Sequence, residues 1–166
     1  GAEIYGEVGG CGMSNDAYHS TATHPEGLGA RLAIKMALED AQISPEEIDY
    51  INLHATSIPV GDQSELNAIT RLYAESDKTV RVSATKSMTG HLLGAAGAIE
   101  AVATVMAMKN NTIPPTINTT DPDDDLPTGI DLTLGEAATH EINYAISNTF
   151  GFGGHNAIAL FKKWEE

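Results

Sequence analysis

The sequence predicts an α/β layered fold in a single domain over residues 1–166. Two observations carry this. Short apolar runs with strand character alternate with segments whose apolar residues recur at helical spacing. Their order is strand, helix, strand, helix, strand, helix and then a pair of strands, the pattern of layered α/β proteins.

Alternating Ala2, Ile4 and Val8 open the first strand, which ends near Gly12. A polar loop, "SNDAYHSTATHPEG", leads into a helix over Leu28 to Ala41, with Leu28, Leu32, Met36 and Ala37 on its apolar face. Ser44, Pro45, Glu46 and Glu47 form a capping-box pattern with proline at the first helical position, which predicts one short turn of helix. Tyr50 to Leu53 reads as a buried strand with His54 just past its end. Pro59 to Ala74 reads as a second helix that turns Leu66, Ile69, Tyr73 and Ala74 inward. "TVRVSA" is the third strand. Leu92 to Lys109 follows as a helix almost without side chains at Gly94, Ala95, Ala96, Gly97, Ala98 and Ala101. Glycine inside a helix costs up to ~1 kcal/mol relative to alanine, so two of them predict a buried helix with other backbones close around it. "IPPTINTTDPDDDLPTG" is a long surface loop rich in proline and acid. "EINYAIS" and "AIALFKKW" form the closing strands, joined by "NTFGFGGHN".

Net charge is −14, from nine Lys and Arg against 23 Asp and Glu, a field that repels a phosphate backbone and argues against nucleic acid. No apolar run approaches the ~20 residues of a membrane span. The start is abrupt and lacks Met, so a piece of a longer chain is expected. The lone Cys11 fits a reducing, cytoplasmic setting. It lies between glycines in the opening strand and reads as a small buried hydrophobe, with no base or helix start beside it to activate a thiol.

Three polar stretches fall where α/β proteins place sites, at strand ends and helix starts. They are "HATSIPVGD" from His54, "TKSMTGHLLG" with Lys86 and His91, and "NTFGFGGHN" with Phe150, Phe152 and His155. In the first turn of its helix, His91 would be held neutral by the helix dipole. A neutral imidazole donates one hydrogen bond, and His54 could give a second to the same oxygen, the kind of pair that stabilises an enolate. Lys86 would orient a histidine or fix the local field, with Glu100 as its charge partner. "GFGGHN" is not a dinucleotide fingerprint, because Asn156 stands at the third glycine position and a strand follows. Its glycines suit a mobile gate at Phe152. Singly, each of these has an ordinary reading: a histidine in a fold is often structural and a lysine often a surface charge. His19, His24 and His140 read as solvated, and the histidines lack zinc spacing.

Together "GCGMSNDAYH", "YINLHATSIPVGD", "SATKSMTGHLLGAAGAIEA", "IPPTIN" and "SNTFGFGGHNA" resemble, in order, the C-terminal half of the elongating β-ketoacyl-acyl carrier protein synthases. The resemblance implies a thiolase-like layered fold with a mixed sheet. It implies a decarboxylative condensation in which His54 and His91 hold the malonyl thioester carbonyl and Lys86 acts electrostatically. Phe152, with Phe150, Gly151 and Gly153, would gate the site and supply the oxyanion amide; Thr56 and Ser57 would meet the carrier arm. A monovalent cation would take Asn52, Glu100, Ser147 and Asn148. No cofactor is expected beyond the phosphopantetheine arm of an acyl carrier protein partner, and the full enzyme is expected to be a homodimer. Ala55, Ile58 and His155 depart from the family's usual Gly, Thr and Thr. The family's nucleophilic cysteine has no match here, so this chain alone is expected not to condense. Two alternatives stay open: a chain-length-factor-like partner, and a related enzyme such as a polyketide ketosynthase or a coenzyme A thiolase.

Overall fold

The structure, a computed structural model, describes residues 1–123 and 126–165. Along the described chain run β1 (Glu7–Asn15), α1 (Leu28–Ala41), β2 (Tyr50–Asn52), α2 (Pro59–Leu72), β3 (Val80–Ser83), α3 (Lys86–Thr89) and α4 (Ala96–Asn110). Then come β4 (Thr112–Ile113), β5 (Ile130–Leu132), β6 (Ala138–Thr139), β7 (Tyr144–Gly151) and β8 (His155–Lys162). Six of the strands form one sheet in the order β1-β8-β7-β2-β3-β5. The pairs β7–β2, β2–β3 and β3–β5 are parallel, while β8 is antiparallel to both β7 and β1. Strands β4 and β6 pair separately.

Side chains alternate between the faces of a strand, and the two cores follow that alternation. Ile51, Val82, Ile146 and Leu160 join Ala33, Ile34 and Ile69 of the two outer helices. Their strand neighbours Tyr50, Ala145 and Phe161 join Ala107 and Met108 of α4 on the opposite face. The result is α1 and α2 on one side, the sheet between, and α4 on the other.

The predicted α/β alternation and the range of α1 match the structure; several details differ. The first strand begins at Glu7 and continues to Asn15. Leu28, Leu32 and Met36 are exposed, and α1 buries Gly29, Ala30, Ala33, Ile34, Ala37 and Leu38 instead. The cause lies in β1. A Cβ at Gly12 would come within 1.9 Å of the Ala33 carbonyl oxygen, so helix and strand meet backbone to backbone and only small residues fit between. Since Gly10 and Gly12 face α1, Cys11 faces away from it and is exposed, contrary to the buried reading. In α2, Ile69 and Tyr73 are buried as expected, whereas Ala74 is exposed and Leu66 half-buried. The expected helix from Leu92 begins only at Ala96, after the turn Leu93–Ala95. Gly94, Ala95 and Ala98 are exposed, Gly97 and Ala101 half-buried and only Ala96 buried, so this chain encloses the segment in part. His24 and His140 are half-buried, and only His19 of the three is exposed. The strand β5 went unread, being three residues at the end of a proline-rich loop. Within that loop's acidic run, Asp124 and Asp125 lie outside the described residues. No described helix is long and apolar enough to cross a membrane.

Candidate active site

The parallel strands β2 and β3 end side by side, and both polar arms start there. Past β2, the Leu53 N–H donates to the Ser83 carbonyl at 2.9 Å, after which the chain turns out of the sheet. The turn is braced by Glu65 of α2. Its Oε1 accepts the His54 N–H and its Oε2 the Ala55 N–H, each at 2.9 Å, while Asn148 Nδ2 of β7 also donates to Oε1 at 2.9 Å. Burial pushes the Glu65 carboxyl above the usual carboxylate range against the pull of those donors. Sequence reasoning missed Glu65, although it lies four residues before buried Ile69 and so on the same helical stripe. Ala55 has φ +22° and Ser57 φ +61°, backbone that favours glycine, and Ala55 is one of the departures from the family pattern. Thr56 is held by its N–H to Asp62 Oδ1 at 3.1 Å, and Ser57 is exposed at the mouth beside it.

The second arm leaves β3 through α3, which buries Lys86 against Glu100 in an ion pair. Burial pushes Glu100 up while Lys86 pulls it down. After Gly90, His91 stands in an irregular segment five residues before α4 and is exposed. It therefore lies outside the first turn of α4, where a helix dipole would act on it. A local bond fixes its tautomer instead: the Leu93 N–H donates to His91 Nδ1 at 3.1 Å. Neutral His91 then carries its proton on Nε2, where it can be donated.

The two imidazoles meet. Their ring centroids are 5.6 Å apart, edge to face at 88°, and Phe150 of β7 lies 5.5 Å from His54 on another side. Burial, then the charges of Lys86 and His91, push the half-buried His54 down to about 3. His54 is thus neutral near pH 7, with one N–H to give. Its Nδ1 is buried and pairs with no described protein atom. Neutral His54 and, beside it, His91 with Nε2 free to donate can place two hydrogen bonds on an oxygen that gains negative charge.

The hairpin tip stands apart from this cluster. Phe150 is buried and touches His54, whereas Phe152, between Gly151 and Gly153, is 76% exposed. The Gly153 N–H donates to the Ser20 carbonyl at 2.7 Å, and Asn15 Nδ2 to the Gly153 carbonyl at 2.9 Å, so the tip is tied to the loop after β1. Ile58 and His155 are exposed.

Beneath the histidines, Asn52 and Ser147 face each other across the β2–β7 pair. Glu100 Oε2, Ser147 Oγ and Asn148 Oδ1 are buried with no hydrogen-bond partner among the described residues. Ser147 shares the α4 face of the sheet with Glu100, whereas the Asn148 side chain turns to the α2 face and bonds Glu65, so the three unpaired oxygens do not converge on one cation. The Asn52 amide is already committed, accepting from Thr85 Oγ1 at 3.1 Å and donating to Thr104 Oγ1 at 3.3 Å. No group of three His, Cys, Asp or Glu fit to hold a metal occurs among the described residues.

This fold and site define a ketosynthase-type, thiolase-like α/β unit, and the chain belongs to the β-ketoacyl synthase family: residues 5–120 match the model of the beta-ketoacyl synthase C-terminal domain. It is 48% identical, over 165 residues, to 3-oxoacyl-[acyl-carrier-protein] synthase 2 of Staphylococcus aureus (strain COL), covering 99% of this chain and 39% of that protein. The protein of the same name from Synechocystis sp. (strain ATCC 27184 / PCC 6803 / Kazusa) gives the same identity and coverage. Among solved structures, one of a type II PKS acyl-carrier protein in complex with its ketosynthase superposes with a TM-score of 0.92 at 36% identity, over 99% of this chain and 40% of that one. A β-ketoacyl synthase from Burkholderia phymatum STM815 gives 0.89 at 36%, over 99% and 39%. The chain thus spans about two fifths of the length of the curated relatives it matches.

Proposed function

We propose that this chain supplies the decarboxylating half of the active site of a 3-oxoacyl-[acyl-carrier-protein] synthase, an acyltransferase of fatty acid synthesis. The observation that carries this is the contact of His54 with His91, both imidazoles close over a buried Lys86. A malonyl thioester, delivered on the phosphopantetheine arm of an acyl carrier protein past Thr56 and Ser57, would seat its carbonyl oxygen against the two N–H donors. The bond from the methylene carbon to the carboxylate then breaks, and its electron pair forms an enolate whose oxygen the histidines stabilise. Carbon dioxide leaves, and the nucleophilic carbon attacks an acyl-cysteine thioester, releasing the thiolate. That cysteine would come from residues outside this chain, and without it the chain condenses nothing. Phe152 and the glycines around it would gate the acyl-cysteine side. The reaction needs no cofactor beyond the carrier arm, and the enzyme would work as a cytoplasmic homodimer.

A second reading has its own support, because solved ketosynthase/chain length factor assemblies also match this chain, one with a TM-score of 0.90 at 37% identity. One experiment separates the two. In the enzyme that contains this chain, His54→Ala and His91→Ala should each lower malonyl decarboxylation about a hundredfold or more, while acylation of the cysteine survives. Decarboxylation unchanged in both variants would overturn the assigned roles. An intact enzyme with no cysteine to acylate and no decarboxylation would favour the chain-length-factor reading.

A further inference from the structure

"IPPTIN", the stretch from Ile113 to Asn118, has no part in the chemistry above, yet its last three residues grip the turn that carries Lys86. Thr116 Oγ1 accepts the Ala84 N–H at 2.9 Å. The Ile117 N–H donates to Ser87 Oγ at 2.9 Å, and Asn118 Nδ2 donates to the Ser87 carbonyl at 3.0 Å. Ser87 Oγ in turn donates to the Ala84 carbonyl at 2.7 Å, which closes a ring of hydrogen bonds around the start of α3. Ala84, Thr85 and Lys86 are all buried there.

The gripping segment is itself fixed to the sheet. Thr116 N–H donates to the Thr133 carbonyl at 2.8 Å, Thr133 N–H to the Val82 carbonyl at 2.9 Å, and Gly135 N–H to the Thr116 carbonyl at 2.9 Å. Asn118 has φ +63°, a left-handed conformation that asparagine tolerates better than most residues, and it directs its amide back onto α3. The helix α3 has four residues, too few to hold their own conformation. Its placement must come from outside, and on this side it comes from residues 116–118.

We infer that Thr116 and Asn118 are positioning residues for the arm that carries Lys86 and His91. They hold α3 against the end of β3, so that Lys86 meets Glu100 and His91 reaches His54. This rests on the two-histidine reading of the site. A purely structural "IPPTIN" would affect the stability of the fold and leave the histidine pair as it is in the folded molecule.

Thr116→Val keeps the shape and removes the acceptor, Thr116→Ser keeps the acceptor, and Asn118→Ala releases the second grip. By NMR on this chain, Thr116→Val and Asn118→Ala should weaken the ring-to-ring contact between His54 and His91. Thr116→Ser should keep that contact. In the enzyme that contains this chain, malonyl decarboxylation should fall about tenfold in kcat with KM little changed, and recover in Thr116→Ser. Folded Thr116→Val and Asn118→Ala proteins with the parent's ring contact and kcat would overturn the inference. If Thr116→Val does not fold, Asn118→Ala decides, since its side chain is exposed. Decarboxylation that survives His54→Ala would sink the functional reading alone, and the NMR contact would still judge the grip.

Discussion

Lys86 and Glu100 form a buried ion pair in which each supplies the other's counter-charge. Removing one partner of such a pair costs about 3–5 kcal/mol because the other stays buried without a counter-charge. Lys86→Met should destabilise this chain by that amount near pH 7, read from urea unfolding. The sign of its pH dependence is fixed. Burial already raises the Glu100 pKa, and loss of the lysine raises it further, so the folded variant holds a proton that its unfolded chain releases above about 4.5. Stability relative to the parent should therefore recover as pH falls toward that value and worsen as it rises. An equal deficit at pH 5 and pH 8 would count against a charged buried pair. Lys86 and Glu100 were legible in the sequence as a pair, and so were the two histidines, because chemistry-bearing residues clustered at strand ends. Glu65 was not: nothing local says that a carboxylate on an amphipathic helix turns inward to hold two backbone amides.

The contact of β1 with α1 decides how the outer layer packs. A methyl group at residue 12 has nowhere to go, with the Ala33 carbonyl oxygen 1.9 Å from the ideal Cβ and the Ala37 nitrogen at 2.8 Å. Gly12→Ala should thus force α1 off the sheet, at about 3 kcal/mol or more given the usual cost of overpacking. A melting temperature unchanged by this substitution would refute the backbone-to-backbone contact. Within this chain, small residues serve close backbone approach chiefly where β1 meets α1. Composition alone pointed to the glycines and alanines of residues 94–101, whereas the close approach within this chain is made by "GGCG" of β1 on Ala33 and Ala37. Periodicity likewise chose Leu28, Leu32 and Met36 for the core of α1, because hydropathy ranks side chains by size and cannot register how little room the facing strand leaves.

Over the whole molecule, a depressed His54 makes folding sensitive to mild acid. Between its ordinary value of 6.5 and about 3, the unfolded chain binds a proton at this site that the folded chain refuses. The stability it contributes is present above 6.5 and is lost as pH falls through that window. Glu65 and Glu100, raised above 4.5, act in the opposite sense and lose their contribution as pH rises. A His54→Gln variant isolates the histidine: from pH 7 to pH 5, its urea midpoint should fall less than the parent's. Equal losses in parent and variant would mean that His54 protonates freely in the folded state.

The sequence by itself determined the α/β alternation, the range of α1, the family and the polar residues at the strand ends, since each is written in local spacing or in a contiguous motif. Tertiary structure decided which of those residues touch: that His54 meets His91 and Phe150, that Glu65 braces the turn at His54 and Ala55, and that residues 116–118 reach back to Ala84 and Ser87 on either side of Lys86. Most of those contacts join residues that lie tens of positions apart in the chain. Only the register of β2, β3 and β7 in one sheet brings them within reach of each other.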